Sequence, residues 1–527
     1  MKRRNQWLVA PLGAATAAAL LSGCGSQDGS AAGDGKGVVM GISDKVKSTD
    51  PASGYDPGSW MLFNNVFQSL LSFPKGGTTP EPDAAQACNF EGGDSKVYKC
   101  TLRSGLKFSN GHSLTSKDVK FSFERTLKIN DPSGPAVILG SIASIDAPDE
   151  KTVVFKLKTS DATFPSKIAS GAGAIVDHAE YPADKLRTDN KAIGSGVYKL
   201  DAFSDKSANF SVNEAYSGKA KAKNTGVTLK FFNGDQAGLK TVLDSGDIDF
   251  AFRGLAAKDI AGLAATKTGN NKVDVVQGTG AEVQHMVFNV SDPVVGKLPV
   301  RKAIAYLVDR EALVKDVYSG TAVPLYSIVP AGIAGHTTPF FDRYGGSPQL
   351  EKAKAVLKAA NITGKVKLTL YSTPTRYGPS TDQQFQVIAK QLNESGLFDA
   401  DVKSVEFEQY EKDIKAGKYG VYIKGWVPDY PDADNFTQPF FGPDNVLMNN
   451  YDNKEISGTI IPTTSTKSDR TAANPDYTRL QDIVADELPI IPLWQSKQYA
   501  VARQNITGLQ WSLDASTVFR FWEISKG

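Results

Sequence analysis

Residues 98–125 read YKCTLRSGLKFSNGHSLTSKDVKFSFER. From Val97 to Phe108 apolar and polar residues alternate, the period of a half-buried strand. The alternation breaks at SNGHSLTSKD, where Thr115 and Ser116 stand ahead of an apolar-periodic run to Leu127, the mark of a helix start. Just upstream, Cys88 and Cys100 flank NFEGGDSKVYK, whose centre EGGDS is a turn signal. Folding about residue 94 sets Cys88 opposite Cys100. Outside the cytoplasm that pair is expected to be a disulfide, two buried free thiols being the alternative. No histidine stands near either cysteine to make it a nucleophile.

Outward from this stretch, strands and helices mix along the whole chain. VVMGIS (38–43), TVVFKLK (152–158), GVTLKFF (226–232), SGDIDFAF (245–252), KVKLTLYS (365–372), YGVYIKGW (419–426) and IIPLWQSKQYAVAR (490–503) read as strands or turns into strand. Helical periodicity marks 60–73, 235–243, 300–318, 381–396 and 477–488. The segment 300–318 is expected to be one amphipathic helix with Ile304, Leu307, Val308, Val314 and Val317 on one side. This order predicts an α/β or α+β fold.

The first 37 residues describe export. A basic start (Lys2, Arg3, Arg4) precedes an uncharged apolar run, which ends in LSGC, Leu21 to Cys24. The ending resembles a bacterial lipobox, which implies cleavage before Cys24, a signal peptide over 1–23, and lipid on Cys24. The run is marginal for a membrane span, which takes about 20 residues. GSQDGSAAGDGKG (25–37) has the composition of a flexible tether. The protein is therefore expected on the outer face of a bacterial plasma membrane.

With 527 residues, 41% hydrophobic and 22% charged, the chain has room for several globular domains. Its net charge of +2 turns to −1 without Lys2, Arg3 and Arg4, so no basic field points to nucleic acid. No nucleophile elbow, metalloprotease helix or phosphate loop occurs, which argues against a secreted hydrolase. Four histidines (112, 178, 285, 336) show no ligand spacing.

Residues 425–434, GWVPDYPDAD, carry three aspartates in six positions. A calcium loop would need a longer pattern with a terminal glutamate, so no metal and no cofactor is expected. Asp432 and Asp434 are expected to be solvated loop residues or caps. Asp429 differs, because it follows Trp426 at the exit of a strand.

Five stretches, 98–125, IGSGVYKL (193–200), SGDIDF (245–250), VRKAIAYLVDREALVKDVYSGTAVP (300–324) and GWVPDYPDADNF (425–436), together resemble the extracellular solute-binding proteins of the oligopeptide and dipeptide type, which serve ABC importers. The cysteine pair departs from the family's usual hairpin. The resemblance implies two lobes joined by two crossing strands, closing on ligand about a hinge. Lobe 1 would comprise 38–66, 191–284 and 490–527, with a small domain 67–190 attached, and lobe 2 would be 285–489. It further implies a monomer that captures short peptides and meets permease subunits. Asp429 would take the peptide ammonium, with Trp426 walling the pocket. Arg376, beside Tyr377 in YSTPTRYGPSTD (371–382), would take the carboxylate, a surface arginine being the alternative. Tyr55 falls in a loop that borders the cleft in the family, and Trp494 on a late strand is either pocket wall or core. A receptor for an oligosaccharide, an opine or a metal chelate stays open at this point.

Overall fold

The computed structural model describes residues 36–265, 273–378 and 380–527. The leader, Cys24 and most of the tether lie outside these residues. Among the described residues no helix is long and apolar enough to cross a membrane.

The fold is mixed α/β, organised on one eleven-stranded sheet. Two long antiparallel strands, Val273–Phe288 and Ile490–Arg503, form its spine. Their pairing runs Val273–Thr279 against Lys497–Arg503, is interrupted between Thr279 and Val283, and resumes against Gln495 and residues before it. On one side of the break, Phe250–Phe252 pairs with Ala500–Ala502, and the sheet continues through Val38–Ile42, Gly226–Phe231, Ser207–Val212 and Tyr198–Phe203. On the other side, Val421–Trp426 pairs with Val283–Phe288, and the sheet continues through Val366–Ser372 and Phe398–Ser404.

Two hydrophobic cores lie on either side of the break. One contains Val283, Met286, Phe288, Ile490, Ile491 and the helices between 298 and 487. The other gathers Met40, Phe63, Leu229, Phe250, Ala500 and Phe521 from separated parts of the chain. The two long strands therefore carry the main chain from one core to the other, the expected two-lobed arrangement with two crossing strands.

A third core, drawn chiefly from Leu70 to Ile175, belongs to a four-stranded antiparallel sheet with the helix Ser116–Ile129 on it. Thr115 and Asp118 form the capping box that starts this helix. Cys88 pairs across the ladder with Cys100, and the two are joined by a disulfide.

Two expected helices differ in extent. The first ends at Val66 rather than Phe73 and starts at Pro57, because Asp56 caps it and Pro57 fits its first turn. The segment 300–318 is two helices, Leu298–Leu307 and Arg310–Tyr318. Asp309 breaks it, since its carboxylate accepts the Ala312 amide at 2.9 Å as a cap. The backbone amide of Asp309 is taken by Gln391 instead of by the preceding turn.

Candidate functional site

A cavity of about 870 Å³ lies against the break in the spine. Its walls come from both cores. Tyr55, Trp60 and Phe252 belong to one side, and Arg376, Trp426 and Asp429 to the other. Its floor is the spine itself, with Gly280, Ala281 and Glu282 on one strand and Trp494 and Ser496 on its neighbour. Tyr55 Oη donates to Asp429 across the cavity. Away from it, the small domain meets the 465–466 segment, where the Ala162 amide donates to Ser465 O at 2.8 Å and Ser95 Oγ donates to Thr466 O at 2.9 Å.

Tyr55 is placed by a loop that is tied down at both ends. Asp50 accepts both guanidinium nitrogens of buried Arg125, at 2.8 and 2.6 Å, and also the Ala52 amide. At the other end Asp56 caps the helix and Trp60 Nε1 donates to Gly54 O. The Tyr55 ring rests 5.7 Å from that of Trp60.

Asp429 is held by Asn435. The Asn435 side-chain oxygen accepts the Asp429 amide at 2.9 Å and Trp426 Nε1 at 3.0 Å, and its nitrogen donates to Asp429 Oδ2 at 3.3 Å. Asn435 is itself buried in a short turn of helix, Ala433–Phe436, which Asp432 caps. Trp426 also meets Phe440 edge-on at 5.3 Å. The partners of Asp429 are thus a phenol and an amide, and among the described residues no cationic side chain lies within ion-pair distance. Burial pushes its pKa above the ordinary carboxylate value, while the bonds from Tyr55 and Asn435 and the distant Lys167 charge pull it down.

Asp432 and Asp434 are not solvated. Each is only 8% exposed. Asp432 accepts the Arg470 guanidinium bidentately, both contacts at 2.8 Å, besides capping the turn. Asp434 accepts the Tyr430 hydroxyl at 3.0 Å. The two acids hold the loop that presents Asp429, and the local sequence gives no sign of Arg470, 38 residues away, as the partner.

Arg376 sits in the short helix Pro374–Tyr377 that follows the strand Val366–Ser372. Its guanidinium lies 5.5 Å from the Phe407 ring centre and makes no ion pair among the described residues. Tyr377 packs closely on Gly425, where a Cβ would stand 3.0 Å from the ring. Trp494 is both core and wall. It is buried, meets the Tyr318 ring at a tilt with centroids 4.8 Å apart, donates to Gln384 at 2.6 Å, and still borders the cavity.

The structure therefore brings Tyr55, Arg376, Tyr377, Trp426, Asp429 and Trp494 to one cavity. Three further groups at or behind the cavity wall are not evident from local sequence. Asn435 is one. The Lys424–Glu411 ion pair at 2.6 Å is another. Glu282 is the third, and its sequence signal is the pair Gly278 and Gly280 inside a strand, which marks a bulge or a close approach.

Away from the cavity, the fold gathers His112 with Asp177 and Glu180, and His178 with Asp118 and Asp177. Sequence spacing hides these groupings. The histidines already have partners, His112 on Asp177 at 2.7 Å and His178 on Asp118 at 2.6 Å, and Asp118 serves the helix cap.

A cavity walled by two lobes and floored by the strands between them defines a solute-binding receptor. Residues 79–447 match the family model for bacterial extracellular solute-binding proteins, family 5, and the chain belongs to that family of ABC-importer receptors. It is 28% identical to the probable D,D-dipeptide-binding periplasmic protein DdpA of Escherichia coli, over 93% of this chain and 94% of that one. It is 26% identical to a dipeptide-binding protein of Pseudomonas aeruginosa, over 88% and 90%. Among solved structures, the unliganded open form of the periplasmic murein tripeptide binding protein MppA superposes with a TM-score of 0.80 at 20% identity, covering 94% of this chain and 98% of that one.

Proposed function

We propose that this protein captures short peptides between its lobes and delivers them to the permease subunits of an ABC importer, without catalysis. The reading rests on Asp429, a cavity carboxylate whose partners are neutral. A charge in such a place needs a cation, and a peptide α-ammonium supplies one with a charge-assisted bond. Arg376 is the counterpart for the peptide carboxylate, since its planar fork is not engaged by any acid among the described residues. Trp426, Tyr377, Tyr55 and Trp494 exclude water around the two charges. The cavity, about 870 Å³, falls within the roughly 300–1,000 Å³ of small-ligand sites, which favours a short peptide over a long one. The dipeptide-binding relatives support the same ligand class.

The rest of the reading completes a tethered receptor. Residues 38–66, 191–284 and 490–527 form one lobe with 67–190 attached, and 285–489 form the other. The lobes move about the interruption at Thr279–Val283. The protein acts as a monomer, and lipid on Cys24 keeps it at the outer face of the plasma membrane.

Calorimetry with an unmodified dipeptide and its N-acetylated form tests the ligand class. Micromolar binding, about −8 kcal/mol, is expected for the free amine and loss of most of it on acetylation. Equal affinity for both forms overturns the peptide reading.

A further inference from the structure

Glu282 is a second cavity acid that the zwitterionic ends of a peptide leave unused. It stands in the interruption of the spine, between Thr279 and Val283, where the strand leaves its ladder. Gly280, two residues before it, packs so closely on Ser496 that a Cβ would come within 2.3 Å of that hydroxyl. The close approach fixes the backbone that presents Glu282 to the cavity.

Lys47 and Arg376 line the cavity without an ion pair among the described residues, and its remaining charges are met within the protein. Lys424 pairs with Glu411 at 2.6 Å, and Arg253 lies 3.5 Å from Asp44. Asp56 caps its helix, and Lys497 donates to Gly320 O at 2.9 Å. The Glu282 carboxylate makes no hydrogen bond or ion pair among the described residues. Burial pushes its pKa up, and the Arg253 and Arg376 charges offset this only from beyond ion-pair distance. A carboxylate in that setting is under-compensated and gains most from a cation brought by the guest.

We propose that Glu282 is a specificity-determining residue that receives a cationic side chain, so that the receptor prefers short peptides carrying lysine or arginine. The inference rests on the peptide reading above. Asp429 takes the backbone amine, and Glu282 takes the side-chain charge from the floor. A neutral side chain of the same length leaves Glu282 desolvated and unpaired, which penalises the neutral peptide.

The test is calorimetric titration of the full mature chain, as wild type and Glu282→Gln, with alanyl-lysine, lysyl-alanine and their norleucine counterparts. Norleucine keeps the length of the side chain and removes its charge. In the wild type, lysine is expected to win by about tenfold or more in at least one of the two positions. In Glu282→Gln that ratio should fall close to one. Wild type that does not discriminate lysine from norleucine in either position overturns the inference. So does a ratio that survives Glu282→Gln, including the case in which the variant weakens all four peptides equally because Glu282 serves lobe closure. In each of those outcomes peptides still bind. Failure of all four to bind wild type instead removes the peptide reading, and this inference with it.

Discussion

The Tyr55 hydroxyl donates a hydrogen bond to the Asp429 carboxylate, joining residues 374 positions apart on opposite walls of the cavity. The bond fixes one oxygen of the acid, and Asn435 fixes the other. Both partners are uncharged. The carboxylate is thereby aimed in advance, and on the proposed reading its negative charge is left for the guest to neutralise.

Asp429→Asn should weaken dipeptide binding by about 3 kcal/mol or more, because the ammonium then sits desolvated without its counter-charge. Calorimetry at neutral pH measures this, and less than a tenfold loss would count against the assignment.

The same substitution should make the empty protein more stable. The folded-state pKa of Asp429 is raised, so the stabilisation belongs to the protonated acid and is lost as pH rises through that pKa. At pH 7 the ionised carboxylate is a burden that Asn removes. Thermal unfolding without ligand should show a melting point for Asp429→Asn at or above that of wild type near pH 7. The advantage should vanish in acid, where wild type is protonated as well.

Binding should fail early on acidification. The ligand ammonium needs the ionised acid, and a proton competes for it. With its pKa raised, Asp429 takes up that proton at a higher pH than an ordinary aspartate, whose value is about 3.9. Dipeptide affinity measured from pH 7 downward should begin to drop before exposed carboxylates titrate, and proton uptake should accompany ligand release.

Asn435→Ala should cost about 1–3 kcal/mol of stability by leaving the Trp426 and Asp429 donors without their acceptor. It should also weaken peptide binding, since the carboxylate loses one of its two guides. Urea unfolding read beside calorimetry separates the two effects, and unchanged affinity would mean that Asn435 does not position the acid.

Reducing the Cys88–Cys100 bond, or replacing both cysteines by serine, should lower stability by up to about 3 kcal/mol, the value expected for closing so short a loop. The loss should appear as a lower melting temperature under reductant, with dipeptide affinity kept, because the hairpin stands apart from the cavity.

Local periodicity makes many elements legible. The strand Ile490–Arg503 reads directly as strand, and the helix Ser116–Ile129 follows from Thr115 and Ser116 standing ahead of an apolar-periodic run. The other half of the spine, Val273–Phe288, is hard to read because Gly278 and Gly280 interrupt its pattern, and those glycines answer to Leu513 and Ser496 across the fold. The segment 300–318 looks like one helix because hydrophobic period outweighs a single Asp309, whereas the folded chain uses that aspartate as a cap. At the site, family resemblance points to Asp429 and Arg376. The burial of Asp432 and Asp434 is invisible locally, since the partner that makes it tolerable, Arg470, arrives from a later segment.

Two passes of backbone, laid side by side between the lobes, act like a pair of door pins. If the lobes close about these strands as proposed, points on the pins travel least when the door swings. Residues mounted there meet an incoming molecule at nearly the same spot whether the jaws stand apart or together, while those on the jaws must journey to reach it. Such a layout lets mutation retune what the receptor reads, on the stationary part, without re-engineering how it grips.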